Sequence, residues 1–100
     1  MAKYKLTNKA VDDLTSIWIY TRDTWSENQA DSYYFMLLEY CNEVASNPEL
    51  GKNYSGVTEI LFGFKAGRHI IFYRRIGETE IEITRILHEQ MDLKNRIKEK

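Results

Sequence analysis

The sequence predicts an α+β domain with the element order β-α-α-β-β-β, and three observations carry that prediction. Two long stretches in the first half repeat apolar residues at spacings of three and four. Residues 59–87 instead alternate at period two and are punctuated by short glycine-containing turns. The single proline, Pro48, stands where the period changes. Helical periodicity followed by strand periodicity, with no alternation between them, points to a helical hairpin laid on one face of a small antiparallel sheet.

Lys3-Tyr4-Lys5-Leu6-Thr7 alternates polar and apolar residues, as a short strand with one wet face does. Thr7 or Asn8 is placed to cap a helix, with Asp12 and Asp13 near its positively polarised first turns. Val11, Leu14, Trp18, Thr21 and Trp25 then form one helical stripe, broadened by Ile17 and Tyr20, and the spacing predicts these aromatics in the core. Ser26-Glu27-Asn28-Gln29 reads as a capping box. The helix after it carries Ala30, Tyr34, Leu37, Cys41 and Val44 on one seam. Two helices joined this closely turn back on each other. Asn47-Pro48 stops the second helix, because proline restricts the preceding residue and has no N–H to continue the ladder.

Residues 49–57 form the longest loop and a candidate binding edge. Glu59 to Lys65, Arg68 to Ile76 and Glu80 to Leu87 read as three strands joined by turns at Ala66-Gly67 and Gly77-Glu78-Thr79. Short connections make them an antiparallel meander, with Ile70-Ile71-Phe72-Tyr73 apolar on both faces like a central strand. Met91 to Lys100 is a charged tail, expected to add at most a short helix. One face of the sheet is expected to stay uncovered by the helices.

One hundred residues with 43% hydrophobic and 29% charged composition suit one domain, residues 1–100, with one modest core. A lone cysteine, Cys41, makes no internal disulfide and reads as a small buried hydrophobe in a reducing cytoplasm. No apolar run reaches a membrane-spanning length, and the N-terminus lacks the apolar region of a signal peptide. Two histidines and one cysteine far apart give no metal-ligand spacing, so neither a metal nor another cofactor is expected. There is no P-loop and no Gly-x-Ser-x-Gly elbow.

The net charge of −1 hides an asymmetry: residues 1–51 carry −4 and residues 52–100 carry +3. The second half is therefore where a phosphate or an acidic protein would be met. Arg68, His69, Arg74, Arg75, Arg85 and His88 fall on the last two strands, which a short turn sets side by side. Such a cluster fits a ribonuclease site, a protein-binding patch with Arg and Tyr73 as anchors, or a merely solvated face. Strict alternation from Ile81 and Ile83 would bury Arg85; either the guanidinium is paired, or a bulge turns Arg85 outward and Ile86 inward, and the bulge is the expectation.

Several short pieces in fixed order carry a resemblance. These are the first helix ending at Trp25, Gln29-Ala30 with Tyr33, Asn47-Pro48-Glu49-Leu50-Gly51, the run from Gly67 to Arg74, and Arg85-Ile86-Leu87-His88 followed by Met91-Asp92. On this pattern the sequence resembles the ParE-type toxins of the RelE/ParE superfamily, the toxic half of bacterial type II toxin–antitoxin pairs. The resemblance implies a cytoplasmic, non-enzymatic toxin that poisons DNA gyrase and serves plasmid stabilisation. It implies neutralisation by a ParD-like antitoxin folding around the helical hairpin and a sheet edge, in a hetero-oligomer. The toxin alone is not expected to bind specific nucleic-acid sequences. Under this reading the target-binding residues are Arg68, His69, Tyr73, Arg85, His88, Met91 and Asp92. The RelE branch implies instead a ribosome-dependent mRNA endonuclease, for which Arg68, Arg85 and His88 would be the catalytic candidates. Against it, His88 is followed by Glu89-Gln90 rather than an aromatic, and lysine is sparse on the central strands. A third alternative is an inactive homologue that only binds antitoxin.

Overall fold

Apolar residues at alternate positions of adjacent strands build the sheet on which the helices lie. The computed structural model describes residues 2–53 and 61–90. Its strands are β1 (Lys3–Leu6), β2 (Lys52–Asn53), β3 (Phe62–Ala66), β4 (His69–Arg75) and β5 (Glu80–His88), and its helices α1 (Asn8–Thr24) and α2 (Glu27–Ser46). The strand order is β1-β5-β4-β3-β2. The α+β class holds, with two differences from expectation. β1 runs parallel to β5, so the sheet is mixed rather than wholly antiparallel. The hairpin of helices carries the chain across the sheet between them, and such a crossover is what a parallel pairing requires. The loop after Pro48 also contributes a short helical turn, Pro48–Leu50, and the two-residue strand β2. The expected strand positions Glu59 and Ile60, and the tail from Met91, lie outside the described residues.

Thr7 joins three elements. Its backbone N–H donates to Ile83 O at 3.1 Å, continuing the β1–β5 pairing by one residue. Its hydroxyl accepts from Ala10 N–H at 3.1 Å, capping α1, and donates to Thr84 O at 2.8 Å. Ser26 caps α2 in the expected way, with its hydroxyl accepting from Gln29 N–H at 3.0 Å. At the β3–β4 turn Gly67 adopts φ +63°, where a side chain is disfavoured, and a Cβ there would stand 2.9 Å from Tyr33 Oη.

The main core packs Leu14, Leu37, Cys41 and Val44 of the helices against Ile71, Tyr73, Ile81, Ile83 and Ile86 of the sheet. The other sheet face is not simply solvated. Leu61, Ile70, Phe72 and Leu87 form a second buried cluster there, because β4 and β5 present apolar residues to both sides. The aromatic stripe of α1 is corrected as well. α1 buries Ala10 and Leu14 in its first half and no residue completely thereafter, so Tyr20 and Trp25 are 69% and 75% exposed. The end of the hairpin projects beyond the core. Trp18 remains half-buried, its indole N–H donating to Asp31 Oδ1 at 2.9 Å.

Tyr73, expected at a binding surface, is completely buried. Its hydroxyl donates to Pro48 O at 2.6 Å and accepts from Gly51 N–H at 2.9 Å, pinning the chain that leaves α2 onto β4. A Cβ on Gly51 would collide with the same hydroxyl, so the close approach requires glycine. Burial also pushes the phenol pKa upward, which keeps the donor protonated. Tyr73→Phe removes both bonds while keeping the ring, and is expected to cost about 1–3 kcal/mol for the groups left unsatisfied, measured by urea denaturation.

Candidate functional site

Where β1 ends, the edge of β5 would be left bare, and the residues that meet it build the site. The β4–β5 register pairs Tyr73 with Ile83 and Phe72 with Arg85, so Thr84 is an extra residue in β5. This is the expected bulge, and it returns Ile86 to the core, 2% exposed. The expectation that Arg85 turns out to solvent is not met. Arg85 Nε and Nη2 donate to the two carboxylate oxygens of Asp13 on α1, at 2.8 and 3.0 Å. Asp13 Oδ2 also accepts from Ile86 N–H at 3.0 Å. With the Asp13 and Arg85 side chains only 14% and 12% exposed, the bulge and the pairing coexist: the guanidinium is desolvated and satisfied in one step.

Beside this pair the first residue of β4 faces the last of β5. His69 and His88 are register partners, with ring centroids 5.2 Å apart and planes at 84°. Tyr33 of α2 reaches them: its hydroxyl accepts from Arg68 N–H at 3.1 Å and lies 2.6 Å from His69 Nδ1. Tyr33 keeps its proton, since burial raises its pKa, and its oxygen already accepts from Arg68 N–H; we therefore assign that proton to the bond with Nδ1, an assignment that places the ring proton of neutral His69 on Nε2. Burial, seconded by the neighbouring His88, pushes the His69 pKa down to about 4, against the opposite pull of Asp13 and Glu89. His88 Nδ1 accepts from Gln90 N–H at 3.1 Å, which likewise leaves the proton on Nε2.

Together these residues line an open cleft of about 220 Å³. Asp13, Ser16 and Ile17 of α1 form one wall, and His69 with the end of β5 from Arg85 to His88 forms the other. Of the expected site residues, the structure brings His69, Arg85 and His88 to this cleft. Arg68 is exposed on the adjoining turn, Tyr73 lies in the core, and Met91 and Asp92 fall outside the described residues. Sequence reasoning missed Asp13 and Ser16 in this role. Asp13 lies 72 positions from Arg85, and the clue available was the need of a core-phase arginine for a carboxylate.

The basic character expected of the meander is neutralised in part. Besides Arg85, Arg74 bonds Glu82 at 2.8 Å and Lys65 bonds Glu89 at 3.0 Å. Lys65 is also the main reason that the Glu89 pKa is lowered. Among the described residues no group of three or more His, Cys, Asp or Glu is placed to hold a metal ion, and no helix is long and apolar enough to cross a membrane. Burial pushes the Cys41 thiol up to about 12, which makes it an unreactive core residue.

Arg85→Ala is expected to cost about 3 kcal/mol in urea denaturation, since it leaves a nearly buried Asp13 without its cation. Asp13→Ala should cost a similar amount, and a double-mutant cycle should show the two losses to be far from additive. His69 generates a pH dependence with a definite sign. Its pKa is about 4 folded and ~6.5 unfolded, so the unfolded chain takes up the extra proton between them. The stability from the neutral ring is complete above ~6.5 and is lost as the pH falls towards 4. Comparing denaturation of the wild type and His69→Gln across that range should show a shallower decline in the variant.

Comparison with known proteins agrees along the chain. The family model described as the ParE toxin of the type II toxin–antitoxin system, parDE, matches residues 4–93. Toxin ParE1 of Mycobacterium tuberculosis is 36% identical over 95 residues, covering 92% of this chain and 94% of that protein. Toxin ParE1 of Caulobacter vibrioides is 32% identical over 92 residues, with 92% and 94% covered. Toxin ParE of Escherichia coli is 33% identical over 98 residues, with 97% and 94% covered. A solved structure described as the chromosomal ParDE TA system from P. aeruginosa shares the fold, with a TM-score of 0.72 at 21% identity over 88% of this chain and 96% of that one. With a family match spanning the helical hairpin, the sheet and the cleft between them, the chain belongs to the ParE toxin family of type II toxin–antitoxin systems.

Proposed function

We propose that this toxin acts in the cytoplasm by binding DNA gyrase rather than by chemistry of its own, and that a ParD-like antitoxin neutralises it in a hetero-oligomer. Family membership supports the target class, and the carrying observation is the state of the cleft. A ribonuclease would need Arg85 to meet a phosphate and a histidine able to exchange protons near neutrality. Here the Arg85 guanidinium is engaged by Asp13, His88, the candidate histidine, spends Nδ1 on the Gln90 N–H, and its neighbour His69 is held neutral. A poison acting by binding needs neither, because it shifts its target's conformational equilibrium through differential affinity.

The surface supports the antitoxin. Tyr20, Trp25 and Phe35 are 69%, 75% and 61% exposed on the hairpin, with Val11 and Ile19 also exposed on α1. β2 pairs only with Phe62 and Gly63, so beyond Gly63 no strand covers the outer edge of β3 among the described residues. Apolar helix faces and a bare edge suit a segment that folds on binding.

The purified protein is expected to inhibit supercoiling by gyrase and to accumulate cleaved DNA, without cutting mRNA on ribosomes. Induction in cells should break DNA before translation stops. Prompt mRNA cleavage with intact DNA would assign the protein to the endonuclease reading instead, and unimpaired growth without antitoxin would mark it as an inactive homologue.

A further inference from the structure

The two histidines differ from the other polar groups of the cleft in what they leave unused. Asp13 spends both carboxylate oxygens on Arg85 and the Ile86 N–H. His69 and His88 each use Nδ1 as an acceptor, from Tyr33 and from Gln90 N–H, and their Nε2–H groups have no protein partner among the described residues. No buried side-chain nitrogen or oxygen described lacks a partner, so both Nε2 atoms are open to solvent. The two rings therefore offer a pair of hydrogen-bond donors and no acceptor.

We propose that the cleft between α1 and the adjoining ends of β4 and β5 seats the carboxylate of an aspartate or glutamate side chain from the antitoxin, held by the Nε2–H groups of His69 and His88. The inference rests on the antitoxin reading above for the source of the side chain, and on the cleft alone for its chemistry. Two donors on adjacent rings suit a group with two acceptor oxygens. The His69 donor is a dipole rather than a full cation, since that ring is neutral well below physiological pH. The Asp13 charge is already balanced by Arg85, so one added negative charge meets no unscreened anion, and because the cation among the described lining residues is already engaged, a dianionic phosphate suits the cleft less well. Ile17 lines the wall beside the rings and gives an aliphatic stem something to pack against. The cleft of about 220 Å³ has room for one acidic side chain.

The chain has only two histidines, so its imidazole carbon-bound protons give an NMR readout confined to this site. Butyrate, acetate, inorganic phosphate and butylamine would each be titrated into the full-length protein at neutral pH. Butyrate should shift both imidazole signals saturably, with acetate weaker for lack of a stem and butylamine, a donor, moving neither. His88→Gln should weaken butyrate binding about five-fold, the worth of one net hydrogen bond. If that variant fails to fold, the wild-type titrations decide alone. Absence of a saturable butyrate shift would overturn the proposal, and phosphate binding more tightly than butyrate would overturn it in favour of a nucleic-acid backbone. None of these titrations contains antitoxin. Whether antitoxin copurifies with the protein is a separate result, so a wrong site chemistry and a wrong partner are told apart.

Discussion

The Asp13 carboxylate holds the molecule together at the point where its regular hydrogen bonding runs out. β1 pairs with β5 only as far as Ile83, and Thr7 extends the cover to the Thr84 carbonyl. Beyond that the bulge at Thr84 breaks the ladder to β4, and the next edge donor, the Ile86 N–H, would be unsatisfied. Asp13 accepts from it and from the Arg85 guanidinium together, so one side chain from α1 closes the edge, neutralises a desolvated cation and fixes the distance between helix and sheet. The cleft lies beside this tie, between α1 and the end of β5. The charge asymmetry of the sequence has its structural meaning in this contact: an acid from the negative half is spent on a base from the positive half.

The parts of the fold that are periodic were legible. Helical spacing and the caps at Thr7 and Ser26 defined the hairpin of helices, and alternation with short turns gave the meander of β3, β4 and β5. What depends on placement between distant segments was not. The parallel partner of β1 cannot be read from its own four residues, because alternation is the same whichever neighbour it takes. Trp25 and Tyr20 fit the helical stripe and yet lie in solvent, since periodicity gives a direction around the helix axis but not where along the axis the core stops. Tyr73 carried the opposite error. An aromatic with a polar tip suits a binding surface, but the same tip suits a core position where an incoming loop supplies both a donor and an acceptor.

The site was half legible for the same reason. His69 and His88 face each other because the β4–β5 register makes them partners, and the turn and bulge that set this register both leave marks in sequence. The protonation of the pair does not. It is written by Tyr33, 36 residues before His69, and by the Gln90 backbone. Without those two bonds the rings would read as interchangeable acids, bases or metal ligands. With them, each presents one donor.

That distinction bears on how a domain of one hundred residues works. A catalyst needs groups that change protonation during turnover, and so tolerates little fixing of their protons. A binder profits from the reverse, because every proton already in place is one less rearrangement to oppose association. In this cleft the arginine is committed to Asp13, His69 is kept neutral, and Tyr33 is held protonated as a donor. The arrangement favours preorganisation over chemical versatility, and under the binding reading proposed above that fixed set of donors is what a partner would meet.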